Sequence, residues 1–290
     1  MKTSRRELMA VVAGAVAARA QAASGRVRVG CQTRAFGSPI RDYAQLLSVL
    51  DDLVAAGYEG FETNYASLQS HFEDPGPARA EIEKRRIKLI GLHGSINFTK
   101  PENLDKDRAQ FDRLAKASKG LGAELLILSS SGVPRDAEGR LQASALKLRC
   151  EELNRAGAAC RAMGIRLATH NHARETANDG EEVNAVMQRT DPRNVSMLMD
   201  AAYVHAANLN VAGFFRRYHR RVAGMHLRDY RDGKEVDLGQ GDLDLKGIAA
   251  AMRETGWTGW AILEVNKRAG VSSRELVETN RKAMRDIMKI

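Results

Sequence analysis

Two imidazoles and two carboxylates, His170, Asp200, His226 and Glu264, each close a short run of apolar or small residues. The runs they end are Ile165–Thr169, Ser196–Met199, Val222–Met225 and Trp260–Leu263. Carried on four consecutive parallel strands about 4.8 Å apart, these side chains converge on one point. Two nitrogens and two carboxylates suit divalent Mn, Fe, Co or Zn better than Ca, which prefers all-oxygen ligation, and Mg stays among the candidate ions. Such an ion would act as a Lewis acid, polarising a carbonyl or stabilising an enolate. Each residue has a plainer reading when taken alone. Asp200 could cap a helix, His226 could be packed in a barrel layer, and Glu264 could pair with Arg228 or Lys267. It is their equivalent places in successive strands that favour a shared cation.

The elements that must present them recur along the chain. Strands are expected at Arg26–Gln32, Gly60–Thr63, Lys88–His93, Glu124–Ser129, Ile165–Thr169, Ser196–Met199, Val222–Met225 and Trp260–Leu263, separated by segments of helical periodicity. In the first such segment Leu46, Leu47, Leu50, Leu53 and Val54 form one apolar stripe. Gly57, Gly122, Gly164 and Gly256 each stand at the expected end of a helix just before a strand, where a left-handed residue turns the chain. The rhythm predicts an α/β fold, a single-domain (β/α)8 TIM barrel over residues 26–290. The 290 residues fit such a barrel, usually roughly 250 residues long. Gln32-Thr-Arg-Ala-Phe-Gly37 is not a dinucleotide-binding glycine pattern. The odd set Cys31, Cys150 and Cys160 reads as buried thiols.

A barrel of this kind keeps its site at the carboxyl ends of the strands. Those ends carry Glu62, His93, Ser129 to Ser131, His170, His172, Asp200, His226 and Glu264, including four of the chain's seven histidines. His172, His93, Glu62 and Glu264 are the candidates for general acid or base, with His172 and His93 favoured. Arg228 is suited to holding an oxyanion or carboxylate. Phe36, Tyr65 and Tyr203, just past strand ends, could stack on a flat apolar face of a substrate. Glu175 reads as a supporting residue. The polar stretch Asp229–Asp242 is expected to loop over the mouth, with Asp242 capping the next helix.

The formal charge is +9, of which residues 1–23 contribute +3. Basic residues are spread over helices and not interleaved with aromatics, so nucleic acid is not an expected partner. Ser4-Arg5-Arg6-Glu7-Leu8-Met9, an Ala/Val-rich segment and Ala20-Gln21-Ala22 resemble a twin-arginine export signal spanning residues 1–23. Its apolar part is too short to remain as a membrane anchor. The mature chain is therefore expected in the periplasm. A homo-oligomer is compatible with the composition.

Several motifs together resemble the xylose isomerase-like barrel superfamily, in the branch labelled sugar phosphate isomerase/epimerase. They are Gly57-Tyr-Glu-Gly-Phe-Glu62, His170-Asn-His172-x-x-Glu175, Met225-His226-Leu-Arg228-Asp229, Leu238-Gly-Gln-Gly241-Asp242 and Gly256-Trp-x-Gly-Trp260-x-x-x-Glu264. The resemblance covers residues 26–290. It implies metal ligation by His170, Asp200, His226 and Glu264, and puts His172, Glu62 and His93 on the substrate pocket. Two positions depart from the family. His170 stands where ketose epimerases usually carry glutamate, which breaks a two-glutamate, two-face proton exchange. Arg228 replaces the usual lysine.

The resemblance implies a divalent-metal enzyme abstracting a proton next to a carbonyl of a carbohydrate, with isomerisation or epimerisation as the leading outcome. The alternative is a lyase or hydratase acting on 3-keto-glycosides by β-elimination. A protein that binds metal and sugar without turnover is the third reading. DNA repair on this fold needs more ligands than the strand ends supply.

Overall fold

The structure is a computed structural model describing residues 25–290. The leader expected over residues 1–23 lies outside the described residues. Strands β1 (Arg28–Gln32), β2 (Gly60–Asn64), β3 (Lys88–Ser95), β4 (Leu125–Ser129), β5 (Arg166–His170), β6 (Val195–Asp200) and β7 (Val222–Leu227) are followed by a hairpin, β8 (Asp229–Arg231) and β9 (Lys234–Val236), and then by β10 (Trp260–Leu263). All but the hairpin strands join in a closed parallel barrel ordered β1-β10-β7-β6-β5-β4-β3-β2. Each barrel strand lies within two residues of its expected bounds.

The main helices are α1 (Tyr43–Ala55), α2 (Gly76–Lys84), α3 (Leu104–Gly120), α4 (Ala143–Ala162), α5 (Ala173–Arg189), α6 (Ala201–Ala206), α7 (Val211–Tyr218), α8 (Leu245–Glu254) and α9 (Ser273–Ala283). Gly57, Gly122, Gly164 and Gly256 adopt φ of 84°, 77°, 75° and 62°, a region where a side chain would be strained. That conformation turns each preceding helix directly into a strand. Helix α5 is broken within: Asn178, Asp179 and Gly180 all have positive φ. No described helix is long and apolar enough to cross a membrane.

Two apolar layers support the barrel. One lies between strands and helices and includes Leu46, Leu50 and Leu53 of α1. A second, separate cluster of Ile90, Leu125, Ile127, Ala168, Leu198, Ala223, Trp260 and Ile262 comes only from barrel strands and plugs the interior. Packing there is tight. A Cβ on Gly60 would lie 2.8 Å from both Ile90 and the Trp260 ring, so the large indole requires a glycine beside it.

The stretch expected as a loop over the mouth contains the β8–β9 hairpin, and the Asp229 carboxylate organises the 230–243 segment. It accepts hydrogen bonds from the backbone N–H groups of Tyr230, Gly239, Gly241 and Leu243 at 2.9–3.0 Å. A Cβ on Gly241 would sit 2.1 Å from Asp229 Oδ1, so this approach requires glycine. The expected cap, Asp242, does not serve. Asp244 stands next to α8 and its Oδ1 accepts from Gly247 N at 2.8 Å. Proximity to the helix start decided between two aspartates two residues apart.

Candidate metal centre

Side chains two apart on a strand share a face. Ala168, Leu198 and Ile262 belong to the interior plug, so His170, Asp200 and Glu264 stand on the same inward face one step nearer the mouth. His226 follows Gly224 in the same way. Asp200 and His226 are direct register partners across β6 and β7. The outcome is a buried quartet whose candidate ligand atoms all lie within 4.8 Å of one another.

The surroundings orient each member. His170 Nδ1 lies 3.3 Å from the Leu198 carbonyl, the partner for an Nδ1–H, which leaves Nε2 as the free lone pair. Asp200 does both things its position allowed. Its Oδ1 caps α6 by accepting from Tyr203 N at 3.0 Å, and its Oδ2 accepts from Arg228 Nη2 at 2.6 Å. Asn171 clamps the Asp200 backbone, accepting from its N–H at 2.9 Å and donating to its carbonyl at 3.3 Å. Glu264 lies 3.8 Å from Arg228 Nε and 4.0 Å from Arg34 Nη1, and Arg34 is itself held by Asn266.

Whether a cation fits can be judged from the atoms left over. His226 Nδ1 and Glu264 Oε2 are 3.2 Å apart but not aligned to bond, and both are buried without a hydrogen-bond partner. Orphaned buried polar atoms are costly. A nitrogen lone pair and a carboxylate oxygen left facing each other, beside His170 and Asp200, are what a divalent ion would satisfy. The residues fit.

Charge balance agrees. Burial, reinforced by His226 and His93, keeps the His170 imidazole neutral, well below its ordinary pKa. Burial also works against charge on His226, but Glu62 and Glu264 on its two sides outweigh it and raise its pKa well above the ordinary value. Glu264 is lowered despite burial, by His226 and Arg228, whereas burial raises Asp200 against the pull of Arg228. In the metal-free protein His226 therefore takes up a proton more readily than a free imidazole, with Glu62 and Glu264 on its two sides. With its folded value raised, His226 contributes stability fully below its unfolded pKa of about 6.5 and loses it as pH rises through the folded value. The melting temperature of chelated protein should accordingly fall above neutrality, and the gap to metal-loaded protein should widen. A gap that stays constant between about pH 6 and 9 by scanning fluorimetry would count against this arrangement.

The other expected site residues divide into two groups. Glu62 is fully buried and accepts from both His226 Nε2 and His93 Nδ1 at 2.7 Å, and His93 also contacts the Ser129 hydroxyl. Glu62 thus sits behind His226, where it fixes ring and tautomer, and it has no face toward the mouth. Glu62→Gln should weaken metal affinity about 10–100-fold, as lost supporting carboxylates do, measured by competition with a chromogenic chelator. Unchanged affinity with lost turnover would restore the acid/base role expected from sequence.

His172 is different. Its backbone stays extended (φ −112°, ψ −175°), its ring meets His170 edge-on at 4.6 Å, and its side chain is 37% exposed. The buried Glu175 carboxylate accepts from His172 N at 3.1 Å and from the Ser130 hydroxyl at 3.0 Å, and lies 3.9 Å from His172 Nδ1. Tyr203 lies edge-on to His172 at 5.5 Å, and Arg228 stacks over the Tyr203 ring at 4.3 Å. Phe36 and Tyr65 are half-buried against the outer apolar layer. Asn171 and Asp229 were not singled out as functional from sequence. The Asn171 signal was its place between the two histidines.

Residues 50–287 match the family described as xylose isomerase-like TIM barrel. Inosose dehydratase of Lacticaseibacillus casei is 23% identical over 248 residues, covering 75% of this chain and 81% of that protein. Among solved structures, the IolI protein with a bound zinc atom superposes with a TM-score of 0.73 at 16% identity, covering 91% of this chain and 98% of that one. The 3-keto-D-glucoside 4-epimerase of E. coli gives 0.71 at 15%, covering 91% of this chain and all of that one. These last two likenesses concern the fold. With most of its barrel matched, the chain belongs to the xylose isomerase-like TIM barrel family.

Proposed function

We propose that this chain is a divalent-metal-dependent lyase that removes the proton next to a carbonyl of a keto sugar or cyclitol and expels the β-substituent. The observation that carries this reading is the asymmetry of the acid/base groups around the quartet. His172 is the half-exposed imidazole beside the ligands, while Glu62 is sealed behind His226 and His93 is held between Glu62 and Ser129. A base on one side suits elimination better than proton exchange on two faces. The inosose dehydratase relative supports the same order, and reverses the preference for isomerisation that the family label alone suggests. The zinc atom in the IolI structure supports a metal here.

His170, Asp200, His226 and Glu264 would hold the ion. When bound, it supplies Lewis-acid polarisation of the substrate carbonyl. His172 accepts the proton from the adjacent carbon, and Glu175 favours the imidazolium that results. The C–H electrons form the new carbon–carbon double bond as the C–O bond at the β-carbon breaks. The departing oxygen takes up a proton from solvent and leaves as water or an alcohol, and the His172 imidazolium returns its own proton to solvent. Arg228, buried and fixed by Asp200, presents a positive edge to the reacting oxygen. On the strength of the leader sequence, the proposal includes export of the mature enzyme.

The test is to load the protein with Mn, Co, Fe, Zn or Mg in turn and supply an inosose and a methyl 3-keto-glucoside in deuterated water. Loss of water or release of methanol, followed by NMR, is the expected result. Deuterium entering an intact carbon skeleton would return the reading to isomerase or epimerase, which the E. coli neighbour's name favours. A sugar-induced shift in melting temperature without any turnover would leave a binding protein.

A further inference from the structure

Beside the quartet, on the β6–β7 side, lies a pocket of about 200 Å³ between α6 and the segment that comes after β7. Its walls include Tyr203 and Arg228, and both touch the Asp200 carboxylate, one through its backbone N–H and the other through Nη2. The rest is supplied mainly by Ala202, Ala206, Tyr230 and Leu243.

A pocket beside a quartet of polar ligands would be expected to be polar, yet this one has its polar atoms turned away. Asp229 also lines it, but its two oxygens are taken by four backbone N–H groups of the 230–243 segment. The Tyr230 hydroxyl reaches toward Glu235 at 3.5 Å, and the Arg228 guanidinium is stacked on Tyr203 and bonded to Asp200. What faces the cavity is carbon, apart from His205 at the exposed rim. Water against these walls finds few of the two to four partners it needs, and an apolar cavity of roughly 150 Å³ takes up benzene.

We propose that this pocket receives an apolar group of single-ring size carried by the substrate, the part expelled as an alcohol or phenol from a 3-keto-glycoside. The inference rests on the elimination reading for its link to turnover, but not for the binding of the ring itself. Tyr203 and Arg228 form a wall common to pocket and metal centre, so one molecule can place its keto sugar on the ligands and its aglycone against Ala202, Ala206 and Leu243. An aryl leaving group also suits the reaction, because a phenoxide departs more readily than an alkoxide. In this arrangement the pocket selects what the sugar carries.

The experiment has two arms on the metal-loaded full chain, comparing the wild type with Ala206→Phe, which fills the pocket from the exposed end of α6. In the first arm, 4-fluorophenol binding is followed by 19F NMR line broadening. The wild type should bind, and Ala206→Phe should bind at least about tenfold more weakly. No binding by the wild type, or equal binding by both, overturns the proposal. In the second arm, kcat/KM is measured for 4-fluorophenyl and methyl 3-keto-glucosides. The aryl-to-methyl ratio should fall at least about tenfold in Ala206→Phe. A ratio unchanged by the substitution overturns the assignment of the pocket to the leaving group. If the phenol binds in the Ala206-dependent way but neither glycoside is turned over, the pocket stands and the elimination reading fails. Retained metal content and melting temperature in Ala206→Phe verify that the variant is folded.

Discussion

His172→Ala lowers kcat by about 10²–10⁴-fold, the contribution of a positioned general base, while the bound metal stays at its wild-type level. The separation of the two effects comes from position. His172 lies beside the quartet and is half-exposed, whereas His170 belongs to it and is buried. Removing the outer imidazole takes away the proposed proton acceptor and leaves all four ligands with their supports. Added imidazole should restore part of the rate, since the space vacated opens to solvent. Metal analysis and steady-state kinetics on the same preparation test this. Wild-type turnover in the variant would remove His172 from the reaction, and loss of metal would make it part of the ligand cage.

Asp200→Ala should have the largest effect on stability. Its carboxylate holds three things at once: the proposed cation, the Arg228 guanidinium at 2.6 Å and the first turn of α6 through Tyr203 N. Stranding the buried Arg228 costs about 3–5 kcal/mol, and losing the cap about 1 kcal/mol more. For a domain of this size that lowers the melting temperature by about 10 °C. Asp200→Asn keeps an oxygen for the cap and should recover part of the loss without recovering metal binding. Calorimetry of both variants with and without chelator separates the contributions. A variant as stable as the wild type would show that Arg228 finds another partner and that the buried pair is not what holds this side of the mouth.

The barrel was legible because glycine-led turns lead from helices into strands that carry uninterrupted apolar runs, two local signals that agree. The quartet was legible for a related reason: His170, Asp200, His226 and Glu264 occupy corresponding places in four repeats of one unit, so the repeat itself supplies the alignment. What could not be read was which groups lie behind which. Glu62 is 164 residues from His226 in the chain, and only closure of the barrel brings its carboxylate onto Nε2. Asp229, beside Arg228 in the chain, turns its carboxylate to the backbone of Gly239, Gly241 and Leu243. That destination depends on a fold-back that the composition of the segment does not announce. The two motifs around Asp229 and Gly241, separate in sequence, are one structural unit.

The apolar cluster inside the barrel, with Leu198 and Ile262 one step beneath Asp200 and Glu264, makes the chamber a blind alley. The plug closes the floor, so a hydron lifted from a substrate leaves on the mouth side, past His172 and the substrate itself. Return to the donor molecule then competes with escape to bulk. Label carried in on the substrate carbon should wash out more slowly than the carbon–hydrogen bond is broken.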